Sequence, residues 1–404
     1  MNRFFLAILF LVSLVSCDYT KIGDEVTYPE GYTDEYTKLK MLTTPVDVEE
    51  DNALTKMDAS WTNSVSFLWA ATDVVGIFPT AGSQLYFSMA NGVGTNTATF
   101  DGGGWALIRT AEYYSYFPFV PDFYIDKEAI PLSFVGQEQL GNADPSKAQL
   151  GEYCHQVAKG EYNSDTQSLD FTYERLGALF RFRIPVDPGT YESLSVEIGD
   201  KLIAYEGTFK VINKDGKIND PKYTDFLSLS LKDVSFEEQT TLVAFMMLPP
   251  FNILNEQLTI TLIKSDGTIV KASGFGKEYH AGKGYGYAPK YSVYAKNALI
   301  DGNGGTAQVV VTASGSDSYS VTTDVDWLTL ETTPTSGSAV INVTAGKGSS
   351  TRRKGHVIIS REETYKNTTI TLHDKVEITQ DLLGMSFEYG DWEDSGEDYG
   401  GEAI

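Results

Sequence analysis

What most limits the fold is the length of the apolar runs. From about residue 60 onward the chain breaks into short stretches rich in Val, Ile, Phe, Tyr and Thr, each ended by Gly, Asn, Asp or Pro. Such runs read as strands, because β-branched and aromatic side chains fit a pleated, half-buried surface and the residues between them make turns. Examples are 74–78, 105–108, 179–184, 194–198, 242–248 and 258–263. The last alternates Leu258, Ile260 and Leu262 against Thr259, Thr261 and Ile263, one face for a core and one for solvent or a second layer. Ser265-Asp266-Gly267-Thr268 then makes a hairpin turn, since Asp-Gly supplies the positive φ such turns need, and Asn213-Lys214-Asp215-Gly216 makes a second. Amphipathic helical periodicity is scarce, and 144–160 is its best candidate. Many short strands and few helices predict a mostly β chain built from β-sandwiches.

The N-terminus reads differently. Met1-Asn2-Arg3 is followed by an apolar run from Phe4 to Val15 and then by Ser16-Cys17. A cationic start, a short apolar core and small residues at the cut describe a secretory signal. The run is too short to cross about 30 Å of hydrocarbon comfortably. Leu14-Val15-Ser16-Cys17 resembles the lipobox of bacterial lipoproteins, which implies lipidation of Cys17 and an outer-membrane lipid anchor. Each buried methylene of an acyl chain contributes about 0.8 kcal/mol to such anchoring. With Cys17 acylated, Cys154 is the one thiol left, so no internal disulfide forms and packing must supply the stability.

A length of 404 residues is enough for about two to four domains. Net charge is −24 and no basic block occurs, which argues against nucleic-acid binding. It also leaves no polybasic route to a membrane. Residues 18–45 are polar and aperiodic and read as a tether. A Gly-rich joint at 301–305 precedes evenly spaced strands at 308–312, 319–322, 340–343, 356–359 and 376–379. The Gly- and acid-rich tail 383–404 reads as a flexible end.

Two further resemblances cover most of the chain. Trp69 with Asp73-Val74-Val75-Gly76-Ile77-Phe78 resembles an early strand of the fimbrillin-like proteins of the Bacteroidales. Trp105 with Tyr113-Tyr114-Ser115-Tyr116-Phe117-Pro118-Phe119 resembles that family's aromatic strand. Blocks around 169–182 and 274–285 follow in the family's order. Residues 303–381 resemble the BACON domain, an immunoglobulin-like module, through Trp327-Leu328, Gly337, Ile341-Asn342-Val343, Arg352-Arg353-Lys354-Gly355-His356 and Ile378-Thr379-Gln380. The polar stretch between Arg361 and Lys375 departs from that module and predicts an extended hairpin loop.

These resemblances imply two tandem transthyretin-like, Greek-key β-sandwiches followed by an immunoglobulin-like β-sandwich. The expected division is a signal peptide at 1–16, a tether at 17–45, sandwiches at 46–165 and 166–298, the BACON-like unit at 299–382 and the tail at 383–404. They also imply a fimbrial subunit, anchor or accessory adhesin whose partners are other pilus subunits or surface lipoproteins joined by strand exchange. The alternative is a surface lipoprotein that binds host or dietary glycans. Stalk members of the family are cut after an arginine near the first strand, and this chain has no arginine between Arg3 and Arg109. That favours a retained anchor or accessory subunit, or another maturation protease.

No residue pattern points to catalysis, a cofactor or a metal. His155, His280, His356 and His373 show no metal-ligand spacing, and no HExxH pattern occurs. Cys154 and His155 are adjacent, a placement that rarely sets a nucleophile beside its base. Glu362-Glu363 and Glu393-Asp394 are adjacent acids, not a facing pair. The cluster Tyr113, Tyr114, Tyr116, Phe117, Phe119, Phe123 and Tyr124 leaves two readings open, a half-buried strand or a surface platform for sugar or protein. Tyr279, Tyr285, Tyr287, Tyr291 and Tyr294 invite the same two. Tyr113, Tyr114, Tyr116 and Trp327 are the candidate ligand-contact aromatics.

Overall fold

The computed structural model describes residues 38–43, 46–49, 64–65, 67–79, 83–102, 112–144, 148, 150–163, 168–212 and 217–383. The expected signal peptide, Cys17, Trp105, the expected turn at 213–216 and the acidic tail lie outside them. The described residues form thirty-one strands and one short 3-10 turn, an almost wholly β chain. The runs at 74–78, 179–184, 242–248 and 258–263 are the strands Val74–Pro79, Ala178–Val186, Thr240–Leu248 and Gln257–Lys264.

The N-terminal sandwich closes on itself. Seven strands form a barrel in the order Lys38–Thr43, Ser168–Arg175, Gln156–Asn163, Tyr113–Phe117, Val74–Pro79, Leu85–Asn91 and Thr97–Asp101. Its core holds Trp69, Val75, Ile77, Phe87, Phe100 and Phe171. Gly76 stands opposite Tyr116 in the ladder, and a β-carbon there would overlap the Tyr116 ring. That ring is fully buried and its hydroxyl donates to Gln84 Oε1 at 2.6 Å. Gly76→Ala is therefore expected to cost about 1–3 kcal/mol through overpacking, read as a drop in the urea midpoint.

Several expected boundaries move. The segment 17–45 contains a barrel strand, Lys38–Thr43. Among the described residues of the expected helix at 144–160 stand the 3-10 turn Leu150–Tyr153 and the strand Gln156–Asn163. That strand is hydrogen-bonded on both flanks, to its hairpin neighbour Ser168–Arg175 and to the distant Tyr113–Phe117, and these two ladders outweigh a weak local periodicity. Ser168–Arg175, placed in the second sandwich by sequence, belongs to the barrel. Ile130–Ser133 and Gln137–Leu140, placed in the first, pair instead with Ile203–Phe209 and Phe226–Lys232.

The second sandwich faces a five-stranded sheet against part of a ten-stranded one. Ala178–Val186 is central in the five-stranded sheet and buried along almost its whole length, which is why it reads as a continuous apolar run and not as an alternation. The ten-stranded sheet continues into the C-terminal unit, because Tyr291–Lys296 pairs with Gly305–Ala313. That unit has its own core of Val309, Val311, Ile341, Val343, Val357 and Ile378. The stretch expected as a polar loop is regular ladder instead. Arg353–Tyr365 and Thr368–Gln380 pair over their full length, joined at Lys366 and Asn367, with Lys366 at φ 53°.

Candidate functional site

The strand Lys38–Thr43 is paired along both flanks of the barrel. Along one flank it runs parallel to Ser168–Arg175, from Lys38 opposite Ser168 to Thr43 opposite Tyr173. Along the other it runs antiparallel to Thr97–Asp101, with Leu39 opposite Phe100 and Leu42 opposite Thr97. Its parallel flank is the only parallel pairing in the barrel among the described residues. A hairpin can join antiparallel neighbours but not parallel ones, so this strand is supplied from a distant part of the chain. The next strand, Val46–Glu49, leaves the barrel and pairs parallel with Gly284–Tyr287 at Val48 and Glu49. The stretch 38–49 thus adds strands to two sheets in succession.

The opposite edge of that second sheet is closed by side chains. Gln137 Nε2 donates to the Met247 carbonyl at 2.6 Å, and Met247 N–H donates to Gln137 Oε1 at 2.7 Å. Gln139 takes the Val243 carbonyl at 3.0 Å and the Phe245 N–H at 2.8 Å. Asn142 accepts from Val243 N–H at 2.6 Å. Gln137 and Gln139 are two residues apart on a strand and so share a face, which lets their amides imitate alternate rungs of a ladder. Gln139 is 0% exposed. These side chains occupy backbone groups of Val243, Phe245 and Met247 that a further strand would otherwise use.

The C-terminal unit is locked to the second sandwich by the distal half of its long hairpin. Gln257 and His373 exchange hydrogen bonds, Gln257 Nε2 to the His373 carbonyl at 3.0 Å and His373 N–H to Gln257 Oε1 at 2.7 Å. Arg361 Nη2 donates to the Ser273 carbonyl at 2.8 Å and lies 2.9 Å from Glu363 Oε2. Ser273 Oγ donates to Asp374 Oδ1 at 2.6 Å. Burial raises the Asp374 carboxyl to about 6, against the lowering effect of Ser273 and Arg361. Tyr365 packs on Phe275, ring centroids 5.5 Å apart.

The aromatics singled out by sequence divide. Tyr113 and Tyr116 are buried in cores, and burial pushes the Tyr116 hydroxyl up to about 12. Tyr114 is half-buried and its hydroxyl donates to Glu112 at 2.6 Å. Trp327 is half-buried, with the Arg353 guanidinium 4.3 Å from its ring centroid. Tyr279, Tyr285, Tyr287 and Tyr291 are buried. Phe123 and Tyr124 are the exposed members, Tyr124 at 87%. Their loop is held by Gln84 Nε2, which donates to the carbonyls of Val120 and Asp122. Cys154 is fully buried and its thiol is pushed up by desolvation. His155 is buried as well, Nε2 2.9 Å from the Ser133 carbonyl, and desolvation lowers its proton affinity. Among the described residues no three His, Cys, Asp or Glu side chains gather as a metal site, and no helix is long and apolar enough to cross a membrane.

No protein-family model matches the chain, and no curated protein does. Solved structures similar to it include a candidate cell adhesion protein of Bacteroides ovatus, 12% identical, over 63% of this chain and 92% of that one, with a TM-score of 0.39. A candidate cell adhesion protein of Bacteroides thetaiotaomicron is 13% identical, over 61% and 92%, at 0.31. The tip fimbrial protein Mfa3 of Porphyromonas gingivalis, truncated at its C-terminus, is 8% identical, over 63% and 94%, at 0.30.

Proposed function

We propose that the chain is a lipid-anchored cell-surface fimbrial subunit, or an anchor or accessory adhesin, that assembles by β-strand donation. The observation that carries this reading is the N-terminal strand Lys38–Thr43, which closes the barrel between two strands contributed from elsewhere in the chain. Withdrawing it would leave two flanking strands with unpaired N–H and C=O groups, which an extended segment of a neighbour would refill. The side chains of Gln137, Gln139 and Asn142 support it, because they close the edge at which a stray strand would otherwise add. Acylated Cys17 would hold the chain at the outer membrane. The absence of arginine between Arg3 and Arg109 favours a tether that is retained.

The test inserts a specific protease site between Thr43 and Val46 and cuts it after folding. Strand donation predicts that a synthetic peptide of residues 38–43, or a partner subunit, then occupies the barrel and gives a heat-stable, SDS-resistant complex. A cut protein that takes up neither counts against donation. Mass spectrometry of the protein from membranes is expected to find acylated Cys17 at the N-terminus; any other start removes the retained tether.

The exposed pair Phe123 and Tyr124, on a hydrogen-bonded loop, favours a second reading as a glycan-binding surface lipoprotein. A glycan array with no binder above background closes it.

A further inference from the structure

A cavity of about 550 Å³ lies between residues 67–74, the end of the strand Tyr113–Phe117 and the turn Leu150–Tyr153. Phe67, Phe117, Pro118, Phe119 and Pro121 give it apolar walls. Its size is that of an ordinary ligand pocket. Among the described residues of the lining the charged ones are Asp73 and Glu152, with no Lys, Arg or His. Asp73 Oδ2 accepts from the Ala70 N–H at 2.7 Å, and no ion pair reaches this carboxylate from any described residue. It is half-buried, and desolvation raises its proton affinity. Two further lining residues, Trp69 and Gln156, are 3% and 2% exposed, and Trp69 Nε1 and Gln156 Oε1 have no hydrogen-bond partner among the described residues.

A carboxylate that loses part of its hydration beside aromatic rings, with no counter-ion, is stabilised by an incoming cation. Rings attract the same cation through their negative faces, as Phe67 does already: the Arg175 guanidinium lies 4.6 Å from its centroid. An apolar occupant would strip the remaining water from Asp73 and leave it unpaired. An anionic one would meet both Asp73 and Glu152 on a chain of net charge −24. We propose that this cavity is a docking site for a lysine or arginine side chain of a partner protein, its alkyl stem against Phe117, Phe119 and Pro118 and its charge beside Asp73. This inference stands apart from strand donation, since the residues that carry it, Asp73, Phe117 and Phe119, lie outside Lys38–Thr43.

The test is isothermal titration of the intact protein, the barrel uncut, with the peptide Ac-Gly-Phe-Lys-Phe-Gly-NH2. The comparison ligands are the same peptide with norleucine in place of lysine and a neutral maltohexaose. The lysine peptide is expected to bind, to weaken as salt screens the charge, and to bind at least about tenfold more tightly than the norleucine form, as a desolvated cation between rings should. Asp73→Asn, which keeps an acceptor for Ala70, is expected to weaken binding about tenfold at an unchanged melting temperature. Glu152→Gln, at an exposed position, weakens it less and guards against a folding defect in the first variant. Equal binding of the norleucine peptide, binding of maltohexaose alone, an unaltered Asp73→Asn variant, or no binding of the lysine peptide up to millimolar concentration overturns the proposal.

Discussion

Replacing Gln139 with leucine is expected to destabilise the protein by about 1–3 kcal/mol, the cost of a buried backbone group left without its partner. Leucine fills nearly the same volume, so the loss isolates hydrogen bonding from packing. It orphans the Phe245 N–H in a site with no access to water, and takes one of two donors from the Val243 carbonyl, which keeps the Ala143 N–H at 3.1 Å. Gln137→Leu repeats the experiment at Met247. Urea denaturation measures both. The unsealed edge adds a second readout, since a bare edge strand templates association: the Gln139 variant is expected to form higher-order species by light scattering at concentrations where the parent stays dispersed. A Gln139→Leu protein with the parent's midpoint would show that the amide rungs contribute nothing.

The second large effect is at Arg361. Its guanidinium is buried against Glu363 and near Asp374, so Arg361→Met leaves uncompensated carboxylates in the joint between the second sandwich and the C-terminal unit. Breaking such a buried pair typically costs about 3–5 kcal/mol. The pH dependence carries a definite sign. Asp374 ionises near 6 in the folded chain and at an ordinary carboxylate value when unfolded. The folded state therefore holds the extra proton between those values. The stability this contributes is present below the unfolded value and is lost as pH rises through about 6. Arg361→Met is expected to steepen that loss and carry it to higher pH, because the lowering influence of the guanidinium is gone. Asp374→Asn is expected to flatten it, so that urea midpoints at pH 5 and 7.5 differ less than in the parent. A variant whose midpoints keep the parent's pH slope would remove Asp374 as its source.

Much of the strand inventory was legible because it is local. Val74–Pro79 and Gln257–Lys264 announce themselves through β-branched residues and alternation, and Asp266-Gly267 marks the turn between Gln257–Lys264 and the strand Ile269–Phe275, with Gly267 at φ 81°. Lys38–Thr43 was missed although its sequence alternates Lys38 and Lys40 with Leu39 and Met41. Six residues among polar neighbours are a faint signal, and what makes them a strand is a slot between two distant partners. Gln156–Asn163 likewise owes one flank to a distant partner, Tyr113–Phe117, which no local periodicity signals. The hairpin at 361–375 looked like a loop because its polar residues alternate with apolar ones only weakly. Its inward side chains, Arg361 and Asp374 among them, meet another unit and not an apolar core.

The candidate site shows the same division. Gln137 and Gln139 carry no sequence signal for edge capping, because an amide two residues from another amide is ordinary on an exposed strand. Only the approach of Thr240–Leu248 turns them into ladder rungs. The aromatic cluster could be counted in the sequence but not sorted, since whether Tyr116 or Tyr124 faces outward depends on where the barrel wall turns.

By itself the sequence determined that this chain is β and roughly where its strands begin and end, and it gave the expectation of a secretory signal ahead of Cys17. Strand propensity, turn chemistry and a signal peptide are each encoded within a few neighbouring residues. Only the tertiary structure decided which strands pair, that the first sandwich closes through an N-terminal strand, which sheet edge is sealed, and that the C-terminal unit is held by a buried Arg361–Asp374 joint. Those outcomes are set by contacts between residues far apart in the chain, and no local pattern carries them.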